Sequence, residues 1–317
     1  MGMTKRMLEE AMERGYTLPD KEFVCGDCVS NEILRGVLEN EAIRASCQYC
    51  NRCNAAPIQV LLAEIADAAF SGFTDPANEL PYESREGGYL GETLEAWEVI
   101  SSLGSWTENE DLQEDVEQAF AGTLWCKVDY FRLDQGERLR YGWQGFVRQV
   151  KHKTRYLFLQ ELEDEDQDEI PPGRMLEEIN GLLKGLVSEL PKDSVLYRVR
   201  VVKDGERPCT ASEMGTPPPG LATMDNRMSP AGIPMFYAAQ DEKTAVVETF
   251  DPSMESGRML AIGEWQVNRD LALLDLTDLP EIPDPFDHEN RWQAERINFV
   301  YKFVDELTRP VSRRLSD

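Results

Sequence analysis

The chain has 317 residues, a formal net charge of −26 from 33 Lys and Arg against 59 Asp and Glu, and 41% apolar residues. At roughly 150 residues per domain the length favours two domains, and the apolar share suffices for a sizeable core. The acidity excludes a general binder of nucleic acid or anionic membranes, because both need clustered basic charge.

No apolar run approaches the roughly 18 residues that span a bilayer. The opening MGMTKRMLEEAMERGY has no apolar h-region, which argues against a secretory signal. Its sixth position is Arg6 rather than Ser or Thr, so a myristoylation reading is weak. The expected location is cytoplasmic, with no membrane and no nucleic acid as partner.

Cysteines come first in chain order. Of the seven, five fall between residues 25 and 53. CGDC (Cys25, Cys28) and CQYC (Cys47, Cys50) form C-x2-C-x18-C-x2-C. Each knuckle can present two thiolates to one ion, and two knuckles complete a tetrahedron at zinc, at a separation typical of structural sites. Four thiolates leave no open position, so zinc here would be structural rather than catalytic. Cys53 adds a third step, CQYCNRC, and competes with Cys50 for the fourth place. Buried free thiols or an iron–sulfur cluster are the alternatives. Cys126 and Cys209 stand alone and read as structural.

From Pro57 to about Leu159 the period is helical. PIQVLLAEIADAAF, GETLEAWEVISSL, NEDLQEDVEQAFAGTLW and ERLRYGWQGFVRQV carry apolar residues at three- and four-residue steps. Arg148 and His152 end this region with three residues between them, one fewer than the motif of a HEPN-type RNase, in the basic stretch RQVKHKTR. A cationic helix terminus is the plainer reading, and no RNase site is assigned. ELEDEDQDEIPPG (161–173) reads as a solvated inter-domain linker, with docking of a basic partner as the alternative.

A helix in MLEEINGLLKGLVSEL follows, and then the pattern changes. SVLYRVRVV alternates and is rich in β-branched and aromatic residues, which predicts a strand. GIPMFYAA predicts a second strand and DEKTAVVETF a helix capped by Asp241. MLAIGEWQV and ALLDLTDL predict further strands, and NRWQAERINFVYKFVDELT a long amphipathic helix. Arg198 on the first strand, Arg227 in the loop before the second, Tyr237 at its end and Glu248 on the helix can converge near strand ends. Two guanidiniums grip phosphates, a tyrosine offers an aromatic plane and a glutamate stabilises a cationic sugar. That set suits a pyrophosphate-bearing nucleoside such as NAD. A structural Arg–Glu salt bridge and a packing tyrosine are the plainer alternatives.

YRVR followed by NRMSPAGIPMFYAAQDEKTAVVET resembles the RES family, named for Arg, Glu and Ser: a strand arginine, an R-x-[ST]-P-x-G-x-P-x-[FL]-Y element, then an A-x-x-E helix. The first half is similar to the cysteine-containing HEPN/RES N-terminal domain. The resemblance implies an α+β protein: a helical N-terminal domain with a four-cysteine zinc site (1–160), the acidic linker (161–173) and an ADP-ribosyltransferase-like RES domain (174–317). It implies a growth-arresting toxin that degrades NAD by hydrolysis or phosphorolysis, in a toxin–antitoxin or phage-defence setting. Arg198 and Arg227 would hold the NAD phosphates, Tyr237 would stack on the nicotinamide, and Glu248 would catalyse, with Arg198 and Tyr237 beside it. A protein ADP-ribosyltransferase and a non-enzymatic zinc-bearing sensor or scaffold are the alternatives, and an antitoxin and a homo-oligomer are the partners it allows. The family's late-strand serine has no counterpart in a strand pattern. TRPVSRRLSD resembles the loop before that element, and Ser312 and Ser316 are poor substitutes, so the RES domain is expected to be cut short at its C-terminus.

Overall fold

In a computed structural model, the structure describes residues 11, 14–85, 87–153, 170–223, 229, 232–250 and 258–308. The acidic run up to residue 169, Arg227, Ser312 and Ser316 lie outside the described residues. The chain forms two compact units, residues 1–172 with 281–297, and residues 173–280 with 298–317. Helices and small antiparallel sheets together make an α+β protein. Among the described residues no helix is long and apolar enough to cross a membrane.

The first unit is not purely helical. Three short strands, β1 (Phe23–Val24), β2 (Ile43–Ser46) and β3 (Cys53–Pro57), pair antiparallel in the order β1-β3-β2 around the cysteines. Helix α1 (Glu32–Asn40) begins at Asn31, whose side chain accepts from the backbone N–H groups of Ile33 and Leu34 at 3.0 and 3.1 Å. That cap satisfies donors the first helical turn leaves unpaired. Helix α2 (Ile58–Phe70) starts where Pro57 ends β3. Its buried Ile58, Leu61, Leu62, Ile65 and Ala69 follow the helical repeat and form one wall of the core.

The ribbon pair β4 (Phe73–Thr74) with β7 (Cys126–Lys127), helix α3 (Pro76–Glu79) and the ribbon β5 (Tyr82–Glu83) with β6 (Gly88–Tyr89) form the periphery. Helices α4 (Ala96–Ser102) and α5 (Glu110–Ala119) complete the core with Val99, Ile100, Leu112, Val116 and Phe120. The helix predicted in GETLEAWEVISSL is shorter than its pattern. Leu94 pairs instead with Trp125, and Glu95 and Glu98 cap α4 reciprocally. Helix α6 (Gln135–His152) opens on a second capping box, Asp134 with Glu137, and ends on the exposed His152 and on Lys151, whose positive charge is favourable at the negative end of the helix dipole.

Residues 281–297 belong to this unit through named contacts. Phe286 is fully buried in its core, and Asn31 Nδ2 donates to Asp284 at 2.6 Å. His288 sits between two carboxylates of α2, with Nε2 2.7 Å from Glu64 and Nδ1 2.8 Å from Asp67, while Arg291 reaches Asp67 at 2.7 Å. The hydrogen bond to Glu64 raises the His288 pKa above its ordinary value, against a smaller opposing effect of burial. A raised folded pKa contributes stability that is present below the unfolded value of about 6.5 and lost as pH rises through the folded value. Because the ring is largely exposed, the loss is expected to be at most about 1 kcal/mol. Urea melts between pH 5.5 and 8.5 should show it, and His288→Gln should flatten that slope.

The second unit is built on a long ribbon. Strand β9 (Val195–Lys203) pairs antiparallel with β10 (Arg258–Gln266) over nine residues, from Val195↔Gln266 to Lys203↔Arg258. A second ribbon joins β8 (Val187–Leu190) to β11 (Leu271–Leu274). Helix α7 (Pro172–Leu183) gives way, after a short 3-10 turn holding Gly185, to β8. VSEL, expected at the end of a helix, is therefore a strand, consistent with the β-branched Val187 and a glycine that weakens helix continuation. The small helix α8 (Ala211–Met214) and helix α9 (Glu242–Thr249) pack against β9. Asp241 caps α9 through the Thr244 N–H at 2.8 Å, as its sequence predicts. Helix α10 (Ala294–Thr308) supplies the buried stripe Phe299, Val300, Phe303 and Val304.

The strand predicted for GIPMFYAA does not form among the described residues. The segment meets β9 at one bridge, Tyr197↔Ala239, with N–H to O distances of 2.7 and 2.8 Å. Pro234 lacks the N–H a ladder needs, and Gly232 adopts φ +90°, outside strand geometry.

Candidate functional site

The cysteines of the two knuckles converge. Cys25 Sγ lies 3.8 Å from Cys28 Sγ and 3.3 Å from Cys50 Sγ, Cys28 Sγ lies 3.6 Å from Cys47 Sγ, and all four sulfurs are within 4.8 Å of one another. Thiolates at roughly 2.3 Å from a tetrahedral ion stand about 3.8 Å apart, so this donor set can hold a metal ion. Cys53, the first residue of β3, is exposed and outside the cluster.

Local chain geometry explains the convergence. The Cys28 N–H donates to the Cys25 carbonyl at 3.1 Å, and the Asn51 N–H to the Cys47 carbonyl at 2.9 Å, closing both knuckles. Asn51 adopts φ +61°, a left-handed conformation that asparagine tolerates better than most residues. A Cβ on Gly26 would stand 3.3 Å from the Arg35 carbonyl oxygen, so the first knuckle lies close against α1. Thr107 Oγ1 donates to the Cys28 carbonyl at 2.6 Å. Tyr49, inside the second knuckle, donates to Asp115 of α5 at 2.8 Å, and Lys21 sits 3.0 Å from that carboxylate and 4.4 Å above the Tyr49 ring. Arg52 pairs with Asp27 across the two knuckles.

Burial, reinforced by hydrogen bonding to Cys50 and Cys47, pushes the Cys25 thiol up to about 11 and raises Cys28 further. Burial acts on Cys47 too, but hydrogen bonds from backbone N–H groups of Tyr49, Cys50 and Cys25 outweigh it and bring that thiol down to about 7. Metal ligation needs thiolates, so uptake near pH 7 must expel the protons of Cys25 and Cys28. Isothermal titration in buffers of different ionisation enthalpy should register about two protons released from this pair, and affinity should fall as pH falls.

The second unit assembles a different site around Arg198. The side chain is 9% exposed on β9, its Nη1 donates to the Tyr237 carbonyl at 2.7 Å, and its guanidinium lies 4.8 Å above the Phe236 ring. Burial, and then the neighbouring Arg200, lower its pKa from the ordinary arginine value. Tyr237 is 38% exposed, and its hydroxyl lies 3.4 Å from the hydroxyl of Ser229, which is 2% exposed. Ser229 is the serine of the R-x-[ST]-P element, and the sequence carries no sign that it contacts the tyrosine. Glu248 is exposed in the last turn of α9. It follows the buried Ala245 by three residues, about 60° from the stripe that packs towards β9. Arg198 and Tyr237 are thus brought together directly, Glu248 lies on the helix that packs on the same strand, and Arg227 is outside the described residues.

A cysteine-bearing helical unit ahead of an α+β unit with a buried strand arginine defines a two-part protein. Residues 40–164 match the HEPN/RES N-terminal domain 1, and residues 195–315 match the RES domain. The chain is a RES-family protein carrying a HEPN/RES N-terminal domain. No curated protein and no solved structure matches it. The pairing of domains is consistent with an NAD-related module of toxin–antitoxin type.

Proposed function

We propose that the RES domain consumes NAD and that its unchecked action arrests growth of the cell that makes it. The observation that carries this reading is Arg198: a nearly buried guanidinium inside the matched domain, held by the Tyr237 carbonyl and the Phe236 ring, with no carboxylate bonded to it among the described residues. A desolvated, preorganised guanidinium is suited to a phosphate oxygen. In this reading Arg198 and Arg227 hold the diphosphate, and Tyr237, oriented by Ser229, lies against the nicotinamide. The bond between the ribose C1′ and the nicotinamide nitrogen breaks, and its electron pair leaves with the nicotinamide. The ribose becomes oxocarbenium-like, and Glu248 stabilises that charge. Water or phosphate then attacks C1′, and water loses a proton to solvent.

Glu248 has a position that stability alone does not explain. A carboxylate in the last turn faces the negative end of the helix dipole, an unfavourable placement. Local rules are most often broken where function requires it.

The catalytic module in this reading is the unit of residues 173–280 and 298–317. The first unit is a zinc-stabilised module, with Cys25, Cys28, Cys47 and Cys50 as ligands, and zinc supplies a structural cross-link there rather than chemistry. An antitoxin that restrains the site in the cytoplasm fits such an activity.

The test is to incubate the purified full chain with NAD, with and without phosphate, and follow free nicotinamide. Release without phosphate identifies hydrolysis, and phosphate dependence identifies phosphorolysis. Label from NAD retained on protein would redirect the reading to ADP-ribose transfer, and no release under any condition would overturn it.

A further inference from the structure

The face of the β9–β10 ribbon that carries Arg198 holds a second orphaned donor. The antiparallel register places Gly263 opposite Arg198, Trp265 opposite Leu196 and Ala261 opposite Arg200, so all six residues share one face. Arg198 Nε and Trp265 Nε1 are both buried with no hydrogen-bond partner among the described residues. Buried N–H groups are nearly always paired, and leaving one unpaired is costly. Two orphans on one face therefore point to an acceptor brought by a ligand.

Both side chains contact Phe236. The Phe236 ring lies 4.8 Å from the Arg198 guanidinium and meets the Trp265 indole edge-on, with centroids 5.0 Å apart and an interplanar angle of 76°. Gly263, which has no side chain, lets the indole and Met214 close over the ribbon at this point. A Cβ there would lie 3.4 Å from Trp265 Nε1 and 3.1 Å from Met214 Cε. The indole nitrogen thus hangs over the residue directly across the ribbon from Arg198, a cross-strand separation of about 5 Å between backbones. Arg200, on the same face, spends one Nη on the Glu213 carbonyl. A neutral donor beside two guanidiniums selects an anionic acceptor.

We propose that Trp265 is a substrate-positioning residue whose indole N–H, together with Arg198 Nε, grips one phosphate of a nucleoside diphosphate group. The ligand class rests on the NAD reading above, while the two orphaned donors stand independently of it. Trp265 touches no reacting bond. Its part is to fix the diphosphate so that the far end of the substrate reaches Tyr237.

Isothermal titration of the full chain with ADP tests this. Trp265→Phe removes the N–H and keeps an aromatic ring against Phe236. It should weaken ADP binding about tenfold, the size expected for one hydrogen bond to a charged group, with little change in melting temperature. If Trp265→Phe unfolds, benzothienylalanine at position 265 keeps the bicyclic shape and deletes only the N–H, and the same tenfold loss is expected. Undiminished ADP affinity in a folded variant lacking the N–H, or absence of ADP binding by the unmodified chain, would overturn the proposal. Nicotinamide release by the unmodified chain, measured in parallel, separates the two ideas. Release combined with Trp265-independent ADP binding sinks this inference alone, and Trp265-dependent ADP binding without release sinks the NAD reading alone.

Discussion

Glu248→Gln is expected to lower nicotinamide release by at least about 100-fold, with the fold intact. The amide keeps the size of the side chain and removes only the charge that would meet the oxocarbenium-like ribose. Side chains that stabilise transition-state charge typically contribute two to three orders of magnitude in rate. The substitution should not unfold the protein, because Glu248 is exposed and exposed substitutions usually change stability by less than about 0.5 kcal/mol. Relief of the unfavourable interaction with the dipole of α9 would even stabilise it slightly. The measurement is a time course of nicotinamide release at saturating NAD, with circular dichroism to confirm folding. A folded Glu248→Gln protein with full activity would remove glutamate catalysis from the proposed mechanism.

Loss of the four-cysteine cluster is the second large effect. Chelation of bound metal, or Cys28→Ser, should abolish the cooperative melting transition of the first unit or lower it by more than about 10 °C. Structural zinc contributes about 10–16 kcal/mol in small metal-dependent domains at neutral pH. If half of the lower figure, about 5 kcal/mol, applies here, the shift is about 10–20 °C at this unit's size. The cluster cross-links the turn after β1 to the turn between β2 and β3, on strands that the small sheet also pairs. Cys28 and Cys47 are buried in the same core as Leu34, Leu38 and Leu61, so an unligated polar thiol or serine there also weakens that core. Cys53→Ser is the control. Its side chain is exposed and outside the cluster, and its melting temperature should match that of the unmodified chain. An equal drop in Cys53→Ser would instead make Cys53 the fourth ligand.

Much of this architecture is legible in the amino-acid sequence. Asp241 as the cap of α9, the strand around Arg198 and its later partner, and the apolar repeat of α2 all depend on contacts within a few residues or on simple periodicity. The two C-x2-C knuckles carry their own spacing rule, and that rule locates the cluster. The departures also have local causes. Pro234 and Gly232 break the ladder expected in GIPMFYAA, and Gly185 with Val187 turns the end of a helix into β8.

Long-range placement is not legible there. The choice of Cys50 over Cys53 for the cluster needs the left-handed turn at Asn51, which depends on the pairing of β2 with β3. Tyr49 meeting Asp115, and His288 meeting Glu64 and Asp67, join residues 66 and more than 200 positions apart. Ser229 beside the Tyr237 hydroxyl, and Trp265 over Gly263 beside Arg198, follow from register and packing that no short pattern encodes.

Residue identity and spacing over a few turns of chain are thus enough for the donor types, the cap of α9, most of the helices and strands, and the family, while the breaks at Gly185 and at Gly232 with Pro234 show only in the folded chain. Which donors face one another, and which are left without a partner, emerges only when the chain has folded. Pairing and burial depend on chain closure over tens to hundreds of residues, where no local periodicity constrains the outcome.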